Sequence, residues 1–130
     1  MTTPERFIEP DSTLIVALLD ASGSMLPKRG NTIGGFNQFL ADQRTGPDPA
    51  RLVLLTFNTT VTLLDEGSPI ESVPDLAGER YRPQGNTALY DAVTEAIDRA
   101  ATARRPNDRV LVLIVTDGEE NASRRASLAE

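Results

Sequence analysis

Leu14-Ile15-Val16-Ala17-Leu18-Leu19 is an apolar run with no polar interruption, and it gives way to Asp20-Ala21-Ser22-Gly23-Ser24-Met25. A run of this kind suits a strand buried on both faces, as in the middle of a parallel sheet. The strand is placed at Thr13–Leu19. Asp20, Ser22 and Ser24 then fall where the strand turns into a loop. In open α/β sheets, ligands bind at the carboxyl ends of the strands. Three oxygen side chains at alternate positions of a turning loop can converge on one point. The chain has no Cys and no His, so a hard, oxygen-preferring cation such as Mg2+ is their natural guest.

Two more stretches share this character. Leu52-Val53-Leu54-Leu55-Thr56-Phe57 predicts a second central strand over Arg51–Phe57. Val110-Leu111-Val112-Leu113-Ile114-Val115 predicts a third over Val110–Thr116, which again ends on an aspartate, Asp117. Thr60–Leu64 alternates in character after the short link Asn58-Thr59, so it reads as the far arm of a hairpin, antiparallel and at the sheet edge. Ile33, Phe36, Phe39 and Leu40 recur at helical spacing and predict a helix ending near Arg44, with Pro27 confined to its first turn. Gly34-Gly35 inside that helix predicts a close approach to the sheet or a kink. Residues 65–83 carry Gly67, Pro69, Pro74, Gly78 and Pro83 and read as a long surface loop, with one short turn at Ser72–Leu76. Gln84-Gly85-Asn86-Thr87 opens a second helix with Asn86 or Thr87 as its N-cap. Its apolar face is Leu89, Ala92, Val93, Ala96, Ile97 and Ala100, and Arg104-Arg105-Pro106 ends it. Ser123–Glu130 reads as the start of a further helix. The order predicts an α/β fold: a Rossmann-like, doubly wound, mostly parallel sheet with one antiparallel edge strand. Residues 1–12 form an extended lead-in, and 13–130 form the domain.

Composition narrows the function classes. A chain of 130 residues suits one domain with a single core. A formal net charge of −6 argues against nucleic acid or an anionic membrane as the main partner. Without Cys there is no disulfide framework, thiolate catalysis or zinc–sulfur site, and without His the usual general base is missing. No apolar run reaches membrane-spanning length, and Met1-Thr2-Thr3-Pro4 does not lead into a signal-like apolar core, so a cytoplasmic location is the default.

At its ligand-type residues the chain resembles the von Willebrand factor A family. Asp20-x-Ser22-x-Ser24, Thr87 within Gly85-Asn86-Thr87-Ala88-Leu89-Tyr90-Asp91-Ala92, and Asp117 within Val115-Thr116-Asp117-Gly118 look like that family's metal-ion-dependent adhesion site, in the manner of its bacterial branch. The likeness runs from about residue 13 to the C-terminus. It implies a divalent ion, Mg2+ with Mn2+ or Ca2+ as alternatives, at Asp20, Ser22, Ser24, Thr87 and Asp117. The hydroxyls of Ser22, Ser24 and Thr87 would bind directly. The two carboxylates would act through water or by accepting hydrogen bonds from the serines. A Glu or Asp of a protein partner would complete the ion's shell, so the resemblance implies a metal-dependent protein-binding module and not an enzyme. Family members carry two further strands after the Thr-Asp-Gly turn, and this chain stops before either. The third central strand is therefore expected as a bare apolar edge that invites pairing with another chain, giving a homo-oligomer. A fragment of a longer chain and a domain completed by a partner stand beside that reading.

Each residue also has an ordinary structural reading. Asp20 can cap a strand end, Thr87 a helix, and Asp117 can belong to a plain turn before Gly118. Asp91 suits the first helical turn on dipole grounds and has an indirect role at the site as its alternative. Glu119 and Glu120 read as a solvated acidic rim, and Tyr90 as packing. A second function class is phosphoryl transfer, with Asp20 as nucleophile and Asp117 as a metal ligand. Aspartyl phosphatases usually have a second acid two residues after the nucleophile, where this chain has Ser22, and Lys28 is its only lysine. Neither Gly-x-Gly-x-x-Gly nor Gly-x-x-x-x-Gly-Lys occurs, which disfavours nucleotide binding. A third reading is a structural domain with no partner carboxylate.

Overall fold

Strand β1 (Ser12–Asp20) lies between β2 (Ala50–Phe57) and β4 (Asp108–Val115) and runs parallel to both. The computed structural model describes residues 12–118 and 121–123. Strand β3 (Val61–Pro69) pairs antiparallel with β2, giving the sheet order β3-β2-β1-β4. This is the mixed, mostly parallel α/β sheet that the apolar runs predict. Helix α1 (Arg29–Arg44) joins β1 to β2, and helix α2 (Leu89–Ala103) precedes β4.

The two helices pack on opposite faces of the sheet. Ile15, Ala17 and Leu19 meet Leu52, Leu54 and the α1 residues Phe36 and Leu40. Leu14, Val16 and Leu18 meet Val53, Leu55, Phe57 and the α2 residues Ala92 and Ala96. Residues pointing to both sides of β1 are therefore buried, which is why its sequence shows no alternation. Each large apolar side chain sealed in this way stabilises the fold by about 1.5–3 kcal/mol.

Several local expectations are corrected. Strand β3 runs on through Asp65, Glu66, Gly67 and Ser68 to Pro69, beyond the Leu64 limit. Register shifts at Leu52/Val53 and Leu54/Leu55 let this irregular sequence keep pairing with β2. The region after it is no plain surface loop. Ile70, Val73, Leu76 and Tyr81 are buried in the α1-side core, and the short turns there are 3-10 segments at Ile70–Ser72 and Gly78–Arg80. Pro27 sits in a separate 3-10 turn, Gly23–Lys28, ahead of α1. Gly34 and Gly35 face solvent, and an added Cβ at either would meet nothing within 4 Å, so no close approach requires them. The N-cap of α2 is Ala88, one residue past Thr87, and it makes no side-chain cap. The further helix read from Ser123 lies outside the described residues beyond that point, and so does the lead-in apart from Ser12, which belongs to β1.

At the end of the sheet where β1 starts, Arg51 on β2 reaches across to Asp108 at the start of β4, a buried ion pair. Its Nη1 donates to the carbonyl of Ala103, the last residue of α2, at 2.9 Å. Ser12 Oγ and the Arg105 N–H also donate to Asp108. Burial pushes the Asp108 pKa up, but the hydrogen bonds from Ser12 and Arg105 and the Arg51 guanidinium outweigh it and hold the carboxyl below its ordinary value.

Among the described residues β4 pairs only with β1. Val110, Leu111, Val112 and Ile114 are exposed, Val112 to 53%. Together with Ile97 and Ala100 of α2, the even-numbered ones line an apolar groove. No described helix is long and apolar enough to cross a membrane.

Candidate functional site

The carboxyl ends of β1 and β4 and the segment before α2 meet at one edge of the sheet. Asp20 ends β1 and is fully buried. Its Oδ1 accepts from the Ser22 N–H at 2.9 Å and from Ser22 Oγ at 2.6 Å. Its Oδ2 accepts from Thr116 Oγ1 at 2.8 Å, and that hydroxyl accepts the Gly118 N–H at 3.0 Å. Ser22, 1% exposed, has its Oγ 3.2 Å from Ser24 Oγ. Ser24, on the solvent side, donates its hydroxyl to Asp117 Oδ2.

A serine hydroxyl carries one proton and two lone pairs. Ser22 donates to Asp20 and Ser24 donates to Asp117, so each serine's proton is directed at a carboxyl group. No proton is left for the 3.2 Å contact between the two serine oxygens. Their lone pairs face each other, an arrangement that a cation relieves. Two oxygens at right angles on Mg2+ stand about 2.9 Å apart, and on Ca2+ about 3.3–3.7 Å. The observed 3.2 Å lies between those values, so the two serine oxygens are spaced as neighbouring ligands of a divalent ion would be.

The loops are locked together by their backbones. Ala21 N–H donates to Phe57 O at 2.7 Å, Gln84 N–H to Ala21 O at 2.8 Å, and Gly23 N–H to Gly85 O at 2.9 Å. Gly85 has a φ of +77°, in the left-handed region where a side chain is unfavourable, and a Cβ there would stand 2.9 Å from Thr59 Oγ1. Tyr81 donates its hydroxyl to the carbonyl of Asp20. Burial pushes the Tyr81 phenol up, and the hydrogen bond with Thr32 pulls it partly back.

Thr87 is 1% exposed and sits just ahead of α2. Its N–H donates to Asn121 Oδ1 at 2.7 Å, and its carbonyl accepts the Asn121 N–H at 2.8 Å. Asp20 with Ser22 and Asp117 with Ser24 thus form two hydrogen-bonded pairs whose serine oxygens meet, while Thr87 is tied to the segment that follows Asp117. Asp91 meets that segment through its backbone, donating its N–H to Ser123 Oγ at 2.9 Å. Glu119 and Glu120 lie outside the described residues. Thr116, Tyr81 and Asn121 are parts of the site that sequence reading missed. Thr116 had a signal, since it adjoins Asp117 at a strand end. Tyr81 and Asn121 had none, because their partners lie far away in the chain.

The oxygen-lined rim lies beyond the carboxyl ends of the strands of a mostly parallel sheet, where open α/β domains bind their ligands. The von Willebrand factor type A domain matches residues 15–130, and the chain belongs to that family. No curated protein matches it. Among solved structures it is similar to the ArnB paralog VWA2 of Sulfolobus acidocaldarius, with a TM-score of 0.62 and 16% identity, over 90% of this chain and 30% of that one. The PilB minor pilin of Streptococcus sanguinis matches with a TM-score of 0.61 and 18% identity, over 85% of this chain and 31% of that one. Proximal thread matrix protein 1 of the mussel byssus, in a structure with a zinc-occupied MIDAS motif, matches with a TM-score of 0.50 and 25% identity, over 86% and 30%. The chain therefore spans less than a third of the length of these three proteins.

Proposed function

We propose that this domain holds a divalent cation at Asp20, Ser22, Ser24, Thr87 and Asp117 and uses it to bind an acidic side chain of a protein partner. Domains of this family generally bind metal and proteins, and the finer reading rests on one observation. The two serine oxygens face each other across 3.2 Å with both protons committed to carboxylates. Ser22 and Ser24 would offer lone pairs to the ion directly, with Thr87 as a third neutral ligand. Asp20 is spent on orienting Ser22 and Thr116 and supplies negative charge from beneath. Asp117 orients Ser24 at the rim. Neutral direct ligands leave the ion's charge largely uncancelled, and a bound Mg2+ would act as an electrophile that attracts an incoming carboxylate. The zinc-occupied MIDAS motif of the byssus protein supports a divalent ion without selecting Mg2+.

Calorimetric titration of Mg2+ and then Mn2+ into the metal-free chain tests this. One ion per chain is expected, with binding lost in Ser22→Ala. Pull-down of acidic partners with and without chelator then tests the partner step. A folded wild-type chain that takes up no ion refutes the reading. The phosphoryl-transfer alternative sits poorly with the geometry, because both oxygens of the buried Asp20 carboxylate are engaged and a nucleophile needs one open to substrate.

A further inference from the structure

Thr87 is held by a residue outside the proposed ligand set. Asn121 engages it twice: the side-chain carbonyl accepts the Thr87 N–H at 2.7 Å, and the backbone N–H donates to the Thr87 carbonyl at 2.8 Å. The Ala122 N–H reaches the same carbonyl at 3.1 Å. Two bonds in opposite senses to one residue fix both its position and its rotation. Ser123 Oγ then accepts the Asp91 N–H in the first turn of α2, at 2.9 Å. Since Ala88 gives no side-chain cap, this distant segment does the work of a local one. The chain following Asp117 therefore grips the start of α2 at Thr87 and again at Asp91.

Resting on the ion-site reading above, we infer that Asn121 is a positioning residue for that site, setting where the Thr87 hydroxyl stands and coupling it to Asp117, four residues earlier. Asn121 is itself exposed and fills no part of either core cluster. Its truncation leaves no cavity. What it removes is the acceptor for the N–H of a residue that is 1% exposed. The bonds to the Thr87 carbonyl remain, but its N–H side is no longer held, and its hydroxyl loses its aim.

The test is a double-mutant cycle on the full chain, with Mn2+ affinity read by calorimetry up to millimolar ion and melting followed separately in chelator. Asn121→Ala is expected to weaken Mn2+ binding roughly tenfold or more, as loss of an outer-shell partner does. Its effect should vanish in the Thr87→Ala background, where no hydroxyl remains to be aimed. A purely structural role would lower the melting temperature and leave affinity unchanged, or would weaken binding equally in both backgrounds; either result overturns the inference and leaves the ion site standing. A folded wild-type chain that binds no ion fails both readings at once. If Asn121→Ala does not fold, Asn121→Asp replaces it. That variant keeps an acceptor for the Thr87 N–H and should bind at least as tightly as wild type, so weaker binding would overturn the inference.

Discussion

Replacing Arg51 with Met tests the corner that aligns the elements carrying the site. Arg51 ties β2 to the end of α2 through Ala103 and to the start of β4 through Asp108. Thr87 precedes α2 and Asp117 follows β4, so this clamp and the site lie at opposite ends of the same two elements. The Arg51 and Asp108 side chains are 10% and 1% exposed. Removing one member of a buried pair typically costs about 3–5 kcal/mol, because a desolvated charge is stranded. Asp108 keeps its bonds from Ser12 and Arg105, which places the loss near the lower end, about 3 kcal/mol. For a chain of 130 residues the unfolding entropy is about 0.27 kcal/mol/K, so Arg51→Met should melt roughly 11 °C lower. Calorimetric melting at neutral pH reads this directly. A drop of under about 3 °C, less than 1 kcal/mol, would refute the reasoning. Asp108 adds a pH signature of definite sign. Its folded pKa is depressed, so its contribution is present above the unfolded carboxyl value of about 3.9 and fades as pH falls through the folded value. Below about pH 4, wild type should lose stability more steeply than Asp108→Asn. Parallel pH profiles would show that the carboxylate contributes nothing.

Other consequences are simpler to measure. Gly85→Ala forces a side chain into left-handed backbone beside Thr59; a cost of about 1–2 kcal/mol is expected, with weakened Mg2+ binding as Gly85 O moves off Gly23 N–H. Wild-type melting and affinity in that variant would show that the loop contact is dispensable. Ser22→Ala should lose about 1–2 kcal/mol of stability as well as the ion, since its hydroxyl bond to a buried carboxylate goes. Light scattering should find the chain larger than a monomer through its exposed β4 edge, with Val112→Lys shifting it toward monomer. A wild-type monomer at high concentration would count against edge pairing.

Much of this architecture can be read from the chain because unbroken apolar runs leave a plain signature: β1 and β2 are buried on both faces, and β4 carries the same kind of run although much of it is exposed. Leu14–Leu19, Leu52–Leu55 and Val110–Val115 are unbroken apolar runs, and each proved to be a parallel strand. The apolar face of α2 was legible from Ala92 and Ala96. What escaped depends on distant partners. Asp65-Glu66-Gly67-Ser68 has no strand pattern of its own, and β2 supplies its pairing. Tyr81 and Ile70 enter the core from turns with no period, so no spacing betrays them. The start of α2 is a similar case: Thr87 has the chemistry of a cap, but Ser123 meets the first turn from 32 residues away. That Asp20, Ser22, Ser24 and Asp117 meet was legible because they follow the carboxyl ends of neighbouring parallel strands. Asn121 was not, because nothing local marks its pairing with Thr87.

The turn at residues 45–49 leads into β2 at the end of the parallel strands away from the loops that carry Asp20, Ser22 and Ser24. Eight residues of strand at roughly 3.3 Å each put about 26 Å between that turn and the Asp20 rim. Gly46, Pro47 and Asp48 in it are exposed. A linker fixed to Asp48 would tether the domain to a sensor chip or a force probe with the Asp20 rim turned outward, leaving the approach of a large partner unobstructed.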